Sequence, residues 1–210
     1  MVNWLARSLA DCPFDRRFHR IVTRVISAAA APPATSPARQ SGLQDAWRAI
    51  GATACQLEWV EHTGSTNADV VASQVGNVHH PQYPGIEDFG DVMLRGDGGA
   101  GYIRVDWFTP DGLSTWGDGR LTVLGTEGFI EIRKNVDIGG RPGANHLFLV
   151  DQKETRYVDA GQQDLPYGTQ LVDDVLNRTE TAVPQAHTFL AMELALKAEA
   201  QAKRVDVKPT

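Results

Sequence analysis

The chain has 210 residues, 42% hydrophobic and 22% charged, with a formal net charge of −6; this is an ordinary globular composition, long enough for one good core with or without an irregular appendage. The negative balance excludes a general nucleic-acid binder, which carries a basic face, and no apolar run approaches the roughly 20 residues of a membrane span. Cys12 and Cys55 lack partner spacing, which excludes a disulfide framework and a zinc cluster and fits idle thiols in a reducing, cytoplasmic location.

Residues 1–48 form an irregular Arg/Ala/Pro-rich segment with seven Arg and three acids, a balance of about +4 that leaves about −10 for the remainder. Trp4, Leu5 and Leu9 can line one side of a short helix, and Phe18 to Ile26 is expected to form another. Arg16-Arg17 has the look of an export signal, but Arg20 and Arg24 interrupt the apolar stretch that such a signal needs. Ala28 to Gly42 reads as a linker. A helix is expected over 43–62, with Trp47, Ile50, Ala54 and Leu57 at helical spacing, although Gly51 weakens it.

After Gly64 the texture turns to strands. Asp69 to Val78 is one, with Val71, Ser73 and Val75 on one face. LRGDGGAGYIRV, Leu94 to Val105, then presents a literal G-x-G-x-x-G at Gly96, Gly98 and Gly101. A dinucleotide fingerprint requires a helix after those glycines. Here Tyr102 to Trp107 alternates polar and apolar with period two, Ile103, Val105 and Trp107 sharing one face. The unit is a β-hairpin whose glycines supply positive φ for the turn. LTVLG pairs with FIEIRK across Thr126-Glu127-Gly128, with Gly128 in the left-handed position, and HLFLVD pairs with TRYVDA. Helices close the chain: one over Gly168 to Arg178 with Leu171, Val175 and Leu176 at near-helical spacing, and one from Gln185 to Lys203 after Pro184, with Ala186, Leu190, Leu194 and Ala198 as its apolar stripe. Residues 204–210 read as a frayed tail. Strands first and helices last give an α+β fold: an open, largely antiparallel sheet of six or more strands with helices packed on one face. The other face meets solvent or another subunit, and Phe129, Phe148 and Val150 are candidates for it.

With these segments assembled, residues 49–203 resemble the C-terminal domain of the Gfo/Idh/MocA family of NAD(P)-dependent oxidoreductases. The match runs through TGSTNADVVASQVGNVHHPQYP, the long stretch from Glu87 to Lys134, and TAVPQAHTFLAMELALKAEAQA; Gly125 to Glu131 is its most specific part. The resemblance implies a domain that shapes a sugar or polyol pocket and forms a homo-oligomer through its open sheet. It also exposes departures. Residues 1–59 contain no glycine-rich dinucleotide motif, no Glu-Lys-Pro and no lysine. Ala49 and Thr53 stand where the family's Asp-x-Gly-x-His element has its acid and its histidine. The expectation is therefore a truncated or degenerate member with no catalytic residue, no cofactor site of its own and no metal, where the complete family uses NAD(P). A split dehydrogenase with its cofactor domain on another chain, and a non-enzymatic sugar-binding or dimerisation module, are the alternatives.

Trp116, Asp118 and Arg120 on a Gly-flexible loop offer a ring face, a carboxylate and a guanidinium to a polyol; the plainer reading is an Asp118–Arg120 pair in a turn. His187, near the start of the last helix, either faces a pocket or sits at the core edge. His79-His80 point to opposite faces of a strand and do not ligate one ion together. Glu87-Asp88 read as a strand-entry cap and Asp173-Asp174 as a solvated helix face.

Overall fold

A computed structural model describes residues 20–28 (as backbone), 59–60, 62–83, 86–115, 117–162, 164 and 166–206. The expected helix near Trp4, the linker beyond Ala28, most of the 43–62 helix, both cysteines and Trp116 lie outside these residues.

Among the described residues, nine strands form one sheet: β1 (Arg20–Ala28), β2 (Ala68–Gly76), β3 (Phe89–Gly96), β4 (Gly99–Asp106), β5 (Gly117–Gly125), β6 (Gly128–Arg133), β7 (His146–Asp151), β8 (Thr155–Asp159) and the two-residue β9 (Lys203–Arg204). Helices α1 (Tyr167–Asn177) and α2 (Gln185–Gln201) come between β8 and β9. The sheet order is β8-β7-β6-β5-β1-β4-β3-β2-β9, and every neighbouring pair is antiparallel except β1 with β4 and β2 with β9. This is the expected α+β class with an open sheet.

β1 corrects the N-terminal reading. Phe18 to Ile26 was expected to be helical; instead Arg20–Ala28 is a strand between β4 and β5, paired on both sides. Its β-branched run, Ile21, Val22, Thr23, Val25 and Ile26, favours extended backbone, and two open edges supply a full ladder of partners. The segment is therefore not wholly irregular. The tail is corrected too: Lys203–Arg204 pairs with β2, Val205 N–H donates to Val75 O (3.1 Å), and Asp206 accepts from Asn77 N–H (2.9 Å).

Strand alternation sorts the side chains into two faces. One face holds the core: Val92, Leu94, Ile103, Leu121, Val123, Ile130, Ile132, Leu147 and Leu149, capped by Leu194 of α2 and by Trp59 and Val60. Val71 does not share the face of Ser73 and Val75. The β2–β3 register shifts between Val70 and Ala72, so Val70 packs on the core and Val71 is turned out.

The glycine motif folds as the β3–β4 hairpin, but its glycines serve a different purpose from the expected one. None of Gly96, Gly98 and Gly101 has positive φ. A Cβ at Gly101 would stand 2.6 Å from the Trp59 indole, at Gly96 2.6 Å from Ser65 Oγ and 2.7 Å from the same indole, and at Gly98 2.2 Å from Thr63 O. The glycines make a flat seat for Trp59, which lies in a helical stretch that runs to Thr63 and is closed at Gly64 (φ +65). Gly128 likewise is not left-handed; a Cβ there would meet Val150 O on the neighbouring strand at 2.1 Å.

Candidate functional site

The second sheet face is polar, and its most developed feature is a cleft of about 470 Å³ between the β4 and β5 ends. Two strand motifs build it. Arg104-Val105-Asp106 lies on β4 and Asp118-Gly119-Arg120 on β5, one on each side of β1. β4 runs parallel to β1 and β5 antiparallel, so the reversed order of the two motifs aligns like with like. Arg104 and Arg120 both register with Val25, and Asp106 and Asp118 both register with Ser27. Each arginine then bonds the carboxylate two residues along its own strand: Arg104 Nε donates to Asp106 Oδ2 (2.8 Å) and Arg120 Nε to Asp118 Oδ2 (3.0 Å).

The two carboxylates differ. Asp106 is fully buried and its second oxygen accepts from Phe108 N–H (3.2 Å). The Asp118 side chain is 10% exposed, and its Oδ1 is buried with no hydrogen-bond partner among the described residues; Thr109 Oγ1, also lining the cleft, is in the same state. A buried oxygen left unpaired costs about 1–3 kcal/mol, so both atoms are poised for a ligand or a water. Phe108, Pro110, Leu113 and Val136 supply an apolar wall. The Arg104 guanidinium lies 5.3 Å from the Phe89 ring centroid and 5.7 Å from that of Phe108, which holds it in place while its Nη nitrogens remain for other acceptors. Formal charges cancel, leaving a donor-rich cleft that suits a hydroxylated molecule.

The residues read from the sequence are thus only partly brought together. Asp118 and Arg120 line the cleft and make the plain ion pair as well. His187 is partly buried in the first turn of α2, on the helix-covered side of the sheet, so the sheet stands between it and the cleft. Arg104, Asp106 and Thr109 were missed. Their signal was present as Arg-x-Asp followed by Asp-x-Arg, but only the insertion of β1 between the two strands makes them neighbours.

Elsewhere, Asp88 is buried and accepts from Val78 N–H (2.7 Å), His79 N–H (2.8 Å) and His80 Nδ1 (2.7 Å), the strand-entry cap expected of it. No group of three potential metal ligands occurs among the described residues. The glycine-rich hairpin does not fit a dinucleotide, since a strand succeeds it and Trp59 occupies its glycine surface. No helix among the described residues is long and apolar enough to cross a membrane. Further along the polar face, Arg133 Nη1 and His146 Nε2, on facing residues of β6 and β7, are buried without partners among the described residues.

The same fold is found in oxidoreductases. A provisionally assigned oxidoreductase from Erwinia carotovora atroseptica is 39% identical with a TM-score of 0.81, matched over 97% of this chain and 61% of that one. A provisionally assigned oxidoreductase from Thermotoga maritima is 15% identical with a TM-score of 0.67, over 96% and 56% of the two chains. KijD10, a 3-ketoreductase from Actinomadura kijaniata whose structure contains NADP, is 9% identical with a TM-score of 0.59, over 98% and 58%. The chain thus spans about three fifths of the length of these proteins. No family model and no curated protein sequence matches it.

Proposed function

We propose that the chain is the substrate-side and oligomer-forming domain of a sugar- or polyol-type NAD(P)-dependent dehydrogenase of the Gfo/Idh/MocA kind, unable to transfer hydride alone. The observation that carries this reading is the 39% identical oxidoreductase that it matches over 61% of that protein's length, together with a glycine hairpin closed to a dinucleotide. The cleft supports the polyol assignment. Its arginine Nη nitrogens donate to hydroxyl oxygens, while Asp118 Oδ1 accepts from a hydroxyl. The open face supports a homo-oligomer, since it leaves Arg133 Nη1 and His146 Nε2 to be satisfied and sets the half-buried Phe129, Phe148 and Val150 around them.

The test is calorimetric titration of the purified chain with NAD(H), NADP(H) and a polyol panel that includes myo-inositol and glucose, with its solution mass measured in parallel. Polyol binding lost in Asp118→Asn, a stable dimer and no dinucleotide binding is the expected set. Micromolar dinucleotide binding, or a monomer that ignores every polyol, would overturn the proposal.

A further inference from the structure

The sequence holds no Asn-Gly bond and three Asp-Gly bonds, Asp97-Gly98, Asp111-Gly112 and Asp118-Gly119. An aspartyl side chain can attack its own backbone most easily before glycine, which has no Cβ to shield its nitrogen and turns freely. The fold protects two of the three. Asp97 is held by Thr66, Oδ1 accepting from the N–H (3.0 Å) and Oδ2 from the hydroxyl (2.7 Å), while Gly98 N–H donates to Ser65 Oγ (3.2 Å). Asp118 accepts from Arg120 Nε (3.0 Å) and lies with Gly119 in β5, a strand paired on both sides. A strand held between two neighbours cannot turn its carboxyl over the next nitrogen without giving up ladder bonds.

Asp111-Gly112 has none of this protection. Both residues are exposed, in a tight turn of the β4–β5 connection closed by Leu113 N–H donating to Pro110 O (3.0 Å). Neither the Asp111 carboxyl nor Gly112 N–H makes a hydrogen bond among the described residues. A Cβ at Gly112 would find nothing within 4 Å, so open space surrounds the nitrogen. An exposed loop tip of small and polar residues also has the conformational freedom that ring closure requires.

We infer that Asp111 is a site of spontaneous isoaspartate formation and that the change disables the cleft. The Gly112 nitrogen attacks Cγ of the Asp111 carboxylic acid; the N–Cγ bond forms, the Cγ–OH bond breaks, and the hydroxyl leaves with the amide proton as water. Water then opens the cyclic imide. Cleavage of the N–Cγ bond restores aspartate, and cleavage between the nitrogen and the main-chain carbonyl carbon gives isoaspartate, with no net change in mass or oxidation state. The backbone is then longer by a methylene and carries a free α-carboxylate at the turn. Thr109, Pro110, Gly112 and Leu113 line the cleft opposite Asp118, so this lengthening displaces its apolar wall and the unpaired Thr109 hydroxyl together. The effect on binding rests on the polyol reading above; the modification itself does not.

The experiment ages the full chain in mildly acidic buffer at physiological temperature, folded and in urea. Isoaspartate is then located by peptide mapping with electron-transfer fragmentation, and quantified by methyl transfer from S-adenosylmethionine with an isoaspartate-specific carboxyl methyltransferase. In the folded chain the isoaspartate is expected at Asp111 and not at Asp97 or Asp118, whereas in urea all three sites react. Asp111→Glu should lose the methyl label of the folded chain, because the larger ring closes far more slowly, and Gly112→Ala should lower it by shielding the nitrogen. Polyol binding should fall in proportion to the modified fraction and persist in aged Asp111→Glu. A folded chain that reacts equally at all three sites, or that stays unmodified at Asp111 while the unfolded chain reacts there, would overturn the site. Equal loss of polyol binding in aged Asp111→Glu would overturn its link to the cleft. A fresh chain that binds no polyol would remove the polyol reading and that link with it, while the peptide map still decides the modification.

Discussion

Arg104 and Arg120 stand on either side of the same strand residue, Val25, with their carboxylate partners, Asp106 and Asp118, on either side of Ser27. The two pairs look equivalent, but Arg104 is 37% exposed over a fully buried Asp106, whereas Arg120 is 51% exposed over an Asp118 that keeps 10%.

That difference separates stability from binding. Arg104→Ala leaves Asp106 buried with one backbone donor and removes the guanidinium that lies against Phe89 and Phe108. A loss of about 1–3 kcal/mol is expected, by analogy with hydrogen bonds to charged groups. Arg120→Ala breaks a half-exposed pair and should cost less than about 1 kcal/mol, yet weaken polyol binding about as much as Asp118→Asn does. Urea unfolding midpoints beside calorimetric titrations check both. Equal stability losses in the two variants would show that the burial difference is immaterial.

Glycine substitutions distinguish a seat from a gap. A Cβ at Gly101 would press on the Trp59 indole at 2.6 Å, so Gly101→Ala should destabilise by about 1–3 kcal/mol, the usual cost of overpacking. Gly90 is a strand glycine on the core face beside a cavity of about 50 Å³ that also touches Ala198 of α2. A Cβ there finds its nearest neighbours at 3.7 and 3.8 Å. Gly90→Ala should therefore stabilise by about 0.4–1 kcal/mol, because it restricts the unfolded chain without strain. Denaturant midpoints of the two variants should move in opposite directions.

Much of this fold was legible in the sequence, and the misses have physical causes. The period-two runs around Ile103, Val123 and Ile130 give their strands and their buried face directly, because alternation is a local property. The hairpin at Gly96 to Gly101 was legible from the alternation of Tyr102 to Trp107, which no helix would show. The purpose of its glycines was not, since Trp59 lies some forty residues away in sequence and only tertiary packing brings it there. Local reading failed for β1 for the same reason: a β-branched strand flanked by arginines has a helix-compatible pattern until partners from β4 and β5 are present. The cleft is the sum of these misses. Asp118 and Arg120 were found by residue type, and Arg104 and Asp106 become their neighbours only through β1.

Acid should loosen the 134–145 loop in a defined window. The Asp137 carboxyl is lowered to about 2, first by the Arg141 side chain (2.9 Å) and then by Gly139 N–H, against a smaller opposing effect of burial. A carboxyl whose folded pKa lies below its unfolded value, about 3.9, stabilises the fold above that value and loses the contribution as pH falls towards 2. Thermal midpoints should decline across about pH 4 to 2, and Asp137→Asn should flatten that decline while lowering stability at neutral pH. An unchanged slope in the variant would assign the acid transition to other groups.

Asp174 was expected on a solvated helix face and is instead the buried anchor of the turn after α1. Its Oδ1 accepts from the Thr179 hydroxyl (2.7 Å) and from the Thr181 N–H and hydroxyl (both 2.8 Å), and Oδ2 accepts from Ala182 N–H (2.7 Å). Burial alone would raise its pKa, but these donors outweigh it and hold the carboxyl well below the usual range. By the same sign, its contribution is complete above about pH 4 and disappears in stronger acid. The adjacent Asp173 is exposed, which supplies an internal control. Asp174→Ala removes the acceptor for two backbone N–H groups at once, so the amides of Thr181 and Ala182 should lose their protection from hydrogen exchange and the start of α2 should fray. Asp174→Asn keeps the shape but exchanges one acceptor oxygen for a donor, and should lose part of that protection. Asp173→Asn should exchange like the unmodified chain. Full protection at Ala182 in Asp174→Ala would show that the turn is held by its backbone alone and that the buried carboxylate is dispensable.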